Sequence, residues 1–86
     1  MHELSIALEV YRMAEERLGR EALASVVEIG VDVGDDAGLE PASLAFCLDA
    51  LLREPPFAGA RPVIMRHPGD VLRLSYLEVD DGRPDD

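Results

Sequence analysis

Leu4, Leu8, Tyr11, Ala14 and Leu18 recur at three- and four-residue intervals and lie on one stripe of a helix predicted from about His2 to Leu18. Ile6, Val10 and Met13 widen that stripe, while Glu9, Arg12, Glu15, Glu16 and Arg20 form the wet side, with Glu16 and Arg20 spaced for a helical ion pair. Gly19 is the expected stop, because glycine accepts the left-handed backbone that ends helices. The period then drops to two. From Ser25 to Gly34, Val27, Ile29, Val31 and Val33 point one way, and Val26, Glu28, Gly30, Asp32 and Gly34 the other, which predicts a strand.

Asp35-Asp36-Ala37-Gly38 reads as a loop, and a second helix is predicted from Pro41 to a point before Pro55-Pro56. Leu39 and Leu44 are placed to staple its entry, and Leu44, Leu48, Leu51 and Leu52 with Phe46 form its expected buried face. Arg61 to His67 and Val71 to Asp80 read as two further strands, most simply an antiparallel hairpin across Pro68-Gly69-Asp70. The expected fold is α+β in the order α-β-α-β-β, two helices packed on a small three-stranded sheet. Residues 1–80 form the domain, and 81–86 an acidic flexible tail.

Composition narrows the function. A chain of 86 residues is one small domain that buries only ~60% of its unfolded surface. Eighteen acidic residues against eight basic ones give a net charge of −10, which disfavours nucleic acid and membrane surfaces and leaves metal ions and basic protein patches as fitting partners. No apolar run approaches the ~20 residues that span a bilayer. Glu3, Glu9, Glu15 and Glu16 in the first stretch are unlike a signal or transit peptide, so a cytoplasmic location is expected. Every basic residue is arginine, which removes Schiff-base and Walker-type lysine chemistry. Cys47 is the single cysteine, too few for a disulfide or a Cys-rich zinc site within one chain.

Met1-His2-Glu3 is the one segment with concentrated donor chemistry. An α-amine titrates near ~7.7–8.0 and imidazole near ~6.5, so both offer lone pairs at neutral or mildly alkaline pH. The amine and the His2 amide nitrogen close a five-membered chelate ring, the His2 Nδ1 closes a six-membered ring with that amide, and the Glu3 amide is the next nitrogen along. An all-nitrogen set of this kind favours square-planar nickel(II) or copper(II). Any chain beginning Met-His offers these atoms, and on spacing alone the histidine reads as solvated. His67 beside the turn reads as a solvated side chain and Cys47 as a buried structural thiol. Asp35, Asp36 and Glu40, like Asp80 and Asp81, lack the spacing of a calcium loop. No nucleophile–base pair, phosphate loop or cofactor fingerprint is visible, so an enzyme is not expected.

Met1-His2-Glu3-Leu4-Ser5-Ile6-Ala7 resembles the opening of the HypA/HybF family, the nickel metallochaperones of hydrogenase maturation. Val27-Glu28-Ile29-Gly30 is similar to that family's first strand, Pro41 to Leu52 to its second helix, Gly59-Ala60-Arg61 to the entry of its second strand, and Gly69 to Val79 to its last. The resemblance implies Ni(II) bound transiently through the nitrogens of Met1, His2 and Glu3, and delivery to a nickel-enzyme precursor beside a GTPase of the HypB type. One departure is large. Family members carry a zinc module with two Cys-x-x-Cys pairs between the last two strands, whereas His67-Pro68-Gly69-Asp70 joins them directly here, so no zinc is expected. The alternative is a HypA-derived interaction module that no longer binds metal and docks a basic or strand-donating partner.

Overall fold

The computed structural model describes residues 2–80; Met1 and the tail expected at 81–86 lie outside the described residues. Helix α1 runs His2–Leu18, followed by a 3₁₀ turn Arg20–Ser25, strand β1 Val26–Gly34, helix α2 Pro41–Leu52, and strands β2 Arg61–His67 and β3 Leu72–Val79. Two helices cover one face of a three-stranded sheet, in the predicted α+β order. Gly19 ends α1 at φ 83° and donates its N–H to the Glu15 carbonyl. The 3₁₀ turn, which periodicity did not reveal, buries Leu23 completely.

The sheet order is β2-β1-β3, with β1 parallel to β2 and antiparallel to β3. The expected β2–β3 hairpin is therefore not formed. β1 carries the longest buried run, Ile29 to Gly34, and takes the centre, where both of its ladders are satisfied. β2 contains Pro62, which has no N–H to give a second neighbour, and so it lies at an edge. A parallel pair needs a long crossover, and α2 supplies it. The 68–71 connection then passes over the end of β1, accepting from Gly34 and Asp36 at the Val71 and Gly69 carbonyls at 2.7 and 2.8 Å. Asp35 N–H donates to the His67 carbonyl at 2.8 Å. Gly34 has to be glycine, because a Cβ there would stand 2.1 Å from the Gly69 carbonyl oxygen.

The core lies between the helices and the sheet and contains Val10, Leu23, Ile29, Val31, Val33, Leu44, Leu48, Leu52 and Leu74. Three sequence expectations shift here. α1 buries Ala7, Val10 and Ala14, whose small side chains allow close approach to the sheet, while Leu4 and Leu8 stay about half exposed on its flank. Register irregularities on β1 fall between Val26 and Glu28, so Val26 enters the core and Val27 faces out. On α2, Leu44, Cys47, Leu48 and Leu52 are buried, and Phe46 is not. Leu44 is buried and Leu39 packs against the core, on either side of the cap formed by Glu40, whose Oε1 accepts the Ala42 N–H at 3.2 Å.

Candidate metal site

His2 is the first helical residue of α1 and its side chain is exposed. Glu3 follows on the side of the helix facing α2. Its Oε2 accepts the backbone N–H of Glu40 at 3.2 Å, so the start of α1 is tied to the start of α2. That hydrogen bond, reinforced by the Glu3 backbone N–H, holds the Glu3 carboxyl below the ordinary carboxylate range. The first N–H groups of any helix have no helical carbonyl to donate to. The His2 and Glu3 amides are in this position, and a metal that displaces their protons breaks no helical hydrogen bond. A helix N-terminus repels cations through its dipole. The Glu3 carboxylate opposes that sign locally. Met1, the third predicted member of the site, lies outside the described residues.

Among the described residues, no three His, Cys, Asp or Glu side chains gather closely enough to share an ion. At the chain start the described donors are the His2 imidazole, the Glu3 carboxylate and the backbone nitrogens of the two residues. The other residues singled out from sequence fall elsewhere. Cys47 is buried on α2 as expected. Asp35 pairs with Arg66 at 3.0 Å and Glu40 caps α2, so the cluster Asp35, Asp36 and Glu40 does not assemble as one set of ligands. Arg20 reaches Tyr11 Oη at 3.0 Å and Glu15 at 3.4 Å instead of Glu16, because Gly19 turns the chain off the helix before it.

His67 is not simply solvated. Its Nε2 lies 2.8 Å from Oδ1 of Asp32, which is 4% exposed and also accepts from Arg73 Nε at 2.9 Å. Arg73 first and His67 second hold the Asp32 carboxyl below its usual range. A second knot on the same sheet face joins Glu28 to Tyr76 and to Arg61, whose Nε donates at 3.0 Å. Tyr76 chiefly, then Arg61, keeps Glu28 ionised to lower pH than an ordinary glutamate, and Glu28 in turn raises the Tyr76 phenol. Tyr76 lies over Gly30, where a Cβ would stand 2.1 Å from its ring. These polar knots tie β2 and β3 to β1.

Comparison with known proteins gives a consistent result. Residues 1–72, from α1 to the start of β3, match the family described as "Hydrogenase/urease nickel incorporation, metallochaperone, hypA". The chain is 36% identical over 79 residues to a hydrogenase maturation factor HypA of Albidiferax ferrireducens, covering 92% of this chain and 70% of the relative. It is 41% identical over 70 residues to one from Geobacter metallireducens, covering 80% of this chain and 60% of that one. A third, from Chlorobaculum parvum, is 41% identical over 64 residues, covering 74% and 57% respectively. The chain thus spans between 57 and 70% of the length of these relatives. No solved structure matches it.

Proposed function

The chain belongs to the HypA family, and we propose that it carries Ni(II) at its amino-terminal residues and delivers it during hydrogenase maturation. The donors assigned are the nitrogens of Met1, His2 and Glu3 together with the His2 imidazole. The observation that carries this reading is the placement of an exposed His2 in the first turn of α1, where the amides lack helical partners, beside a Glu3 carboxylate fixed to α2. Amide nitrogens must lose protons to bind a divalent ion, so loading releases protons and affinity climbs with pH.

Nickel is cargo in this reading, not a resident cofactor. The work is ligand exchange: a first-turn site lets a partner's ligands replace nitrogens one at a time while the sheet and its core stay folded. No bond of a substrate is made or broken, so the protein is a carrier and not an enzyme. The partners inferred are a nickel-enzyme precursor and a GTPase of the HypB type, with neither nucleic acid nor membrane involved. No described helix is long and apolar enough to cross a membrane, and the cytoplasm is the location that fits such partners. Cys47 is the chain's single thiol and it is buried in the helix pair, so nickel, without zinc, is the metal assigned to residues 1–80.

The test is nickel titration of the protein, reading the visible absorption of a diamagnetic square-planar complex. His2→Ala must abolish that spectrum, and so must residues added ahead of Met1, while Glu3→Gln retains binding in a less ordered site. Undiminished binding by either of the first two variants overturns the assignment.

A further inference from the structure

Between α1 and α2, on the side away from the sheet, lies an open groove of about 580 Å3 whose walls include Leu4, Ala42, Phe46, Cys47, Ala50 and Leu51. Ser43 is the one polar residue along it. Phe46 is 76% exposed, and Leu4 and Leu8 are 44% and 47% exposed. On α2, Ala42, Phe46 and Ala50 form an outward row four residues apart, alongside the buried row of Leu44, Leu48 and Leu52. The core makes no use of the side chains of the outward row.

We propose that this groove docks a short amphipathic helix of a partner protein, with an apolar row seated against Phe46 and Lys or Arg on its flanks. The size favours such an occupant over a second copy. Stable dimers need about 20–30 residues on each side, and seven residues line this groove. Charge points the same way. The chain carries −10, which repels its own kind and attracts a basic segment. Among the described residues no arginine lines the groove; on α1 Arg12 pairs with Glu9 and at the end of α2 Arg53 pairs with Asp49, both at 2.8 Å, and the carboxylate excess of the chain sets the sign of the field. A channel between two helices has the shape that receives a third. Leu4 adjoins Glu3, so the groove begins within one helical turn of His2. The inference rests on the carrier reading only for what docking accomplishes.

The experiment follows backbone amide resonances while adding a synthetic basic helix of about four turns, with Leu on one row and Lys elsewhere. Leu4, Ala42, Phe46, Ala50 and Leu51 are expected to shift. Phe46→Asp and Ala50→Glu, at outward positions of α2, should keep the parent melting temperature and weaken binding about tenfold or more. Equal binding of a peptide with the Leu row scattered, or with Glu in place of Lys, overturns the proposal. So do shifts on the polar sheet face in place of the groove. Shifts without peptide as protein concentration rises assign the groove to a second copy, and shifts on deleting residues 81–86 assign it to the chain itself; both outcomes refute the partner. His2→Ala separates the two readings: it removes nickel and leaves peptide binding intact.

Discussion

Gly34→Ala tests the sheet order directly. A Cβ at that position would stand 2.1 Å from the Gly69 carbonyl oxygen and 2.5 Å from the Val71 nitrogen, and both obstacles are backbone. Ordinary contact begins at 3.4 Å, so the connection has to retreat by 3.4 − 2.1 = 1.3 Å. It is held where it is by bonds from Gly34 to Val71, Asp35 to His67 and Asp36 to Gly69, at 2.7, 2.8 and 2.8 Å. Overpacking of this kind costs about 1–3 kcal/mol, and each hydrogen bond lost in the retreat adds about 1 kcal/mol. With two bonds lost the cost is about 3–5 kcal/mol, a large share of the ~5–15 kcal/mol that stabilises a typical domain.

Thermal unfolding measures this as a fall in melting temperature of at least roughly 12 °C for a chain this short. Gly30→Ala is the matched control. Its new methyl meets the Tyr76 ring at 2.1 Å, and a side chain can swing away where backbone cannot, at the expense of the Tyr76–Glu28 hydrogen bond, so it should cost less than Gly34→Ala. If β2 and β3 formed a hairpin with each other, the end of β1 would be free of the connection and alanine would be tolerated. A Gly34→Ala protein within about 0.5 kcal/mol of the parent, the range of an ordinary surface substitution, refutes the crossing.

Leu48→Ala, at 1% exposure in the core, should cost about 2–5 kcal/mol in urea unfolding with an unchanged slope; a smaller loss would mean that α2 does not seal the core. Asp32 titrates below its ordinary range in the folded chain, so the unfolded state binds the extra proton in acid. Asp32→Asn is therefore less stable than the parent at neutral pH, and the gap in melting temperature closes as pH falls through and below the ordinary carboxylate range; a constant gap contradicts the pairing with Arg73 and His67. Nickel affinity should rise steadily between pH 6 and 8 in about the proportion expected for proton release from more than one nitrogen, followed by competition with a chelator. A flat profile would point to carboxylate ligands instead.

The elements were legible in the sequence because each carries its own period. α1 and β2 have the predicted bounds, and α2 begins at the predicted Pro41. Pairing was not legible, because a short turn between two strand patterns looks the same whether the strands meet or pass on either side of a third. The deciding residues were present but inconspicuous: Pro62, which suits only an edge, and Gly34, which suits only a crossing. The rotation of α1 was misjudged because leucine outweighs alanine in an apolar stripe, whereas the sheet is approached by Ala7 and Ala14. Asp32 escaped notice for a related reason. Its partners Arg73 and His67 lie on two other strands, and only the β2-β1-β3 order brings them to one side chain. At the chain start, the position of His2 and Glu3 in the first turn of α1 followed from the helical period, but the tie from Glu3 to Glu40 spans 37 positions and required the helix packing.

These features divide the molecule into a fixed end and an exchangeable end. The polar knots on Asp32 and Glu28, with the crossing over Gly34, lock the three strands to one another. The chain start is held to that body through helix packing and the Glu3–Glu40 contact, and no core side chain depends on whether its amides carry protons or a metal. Were nickel loaded at the first turn of α1, as proposed, the buried surface that stabilises the fold would stay unchanged and unloading would not require unfolding. A chelate buried among Val10, Leu44 and Leu48 would couple metal release to opening of the core, at a cost comparable to the stability of the whole domain. A first-turn site avoids that coupling, and the partner has to supply only competing ligands and a surface to dock against.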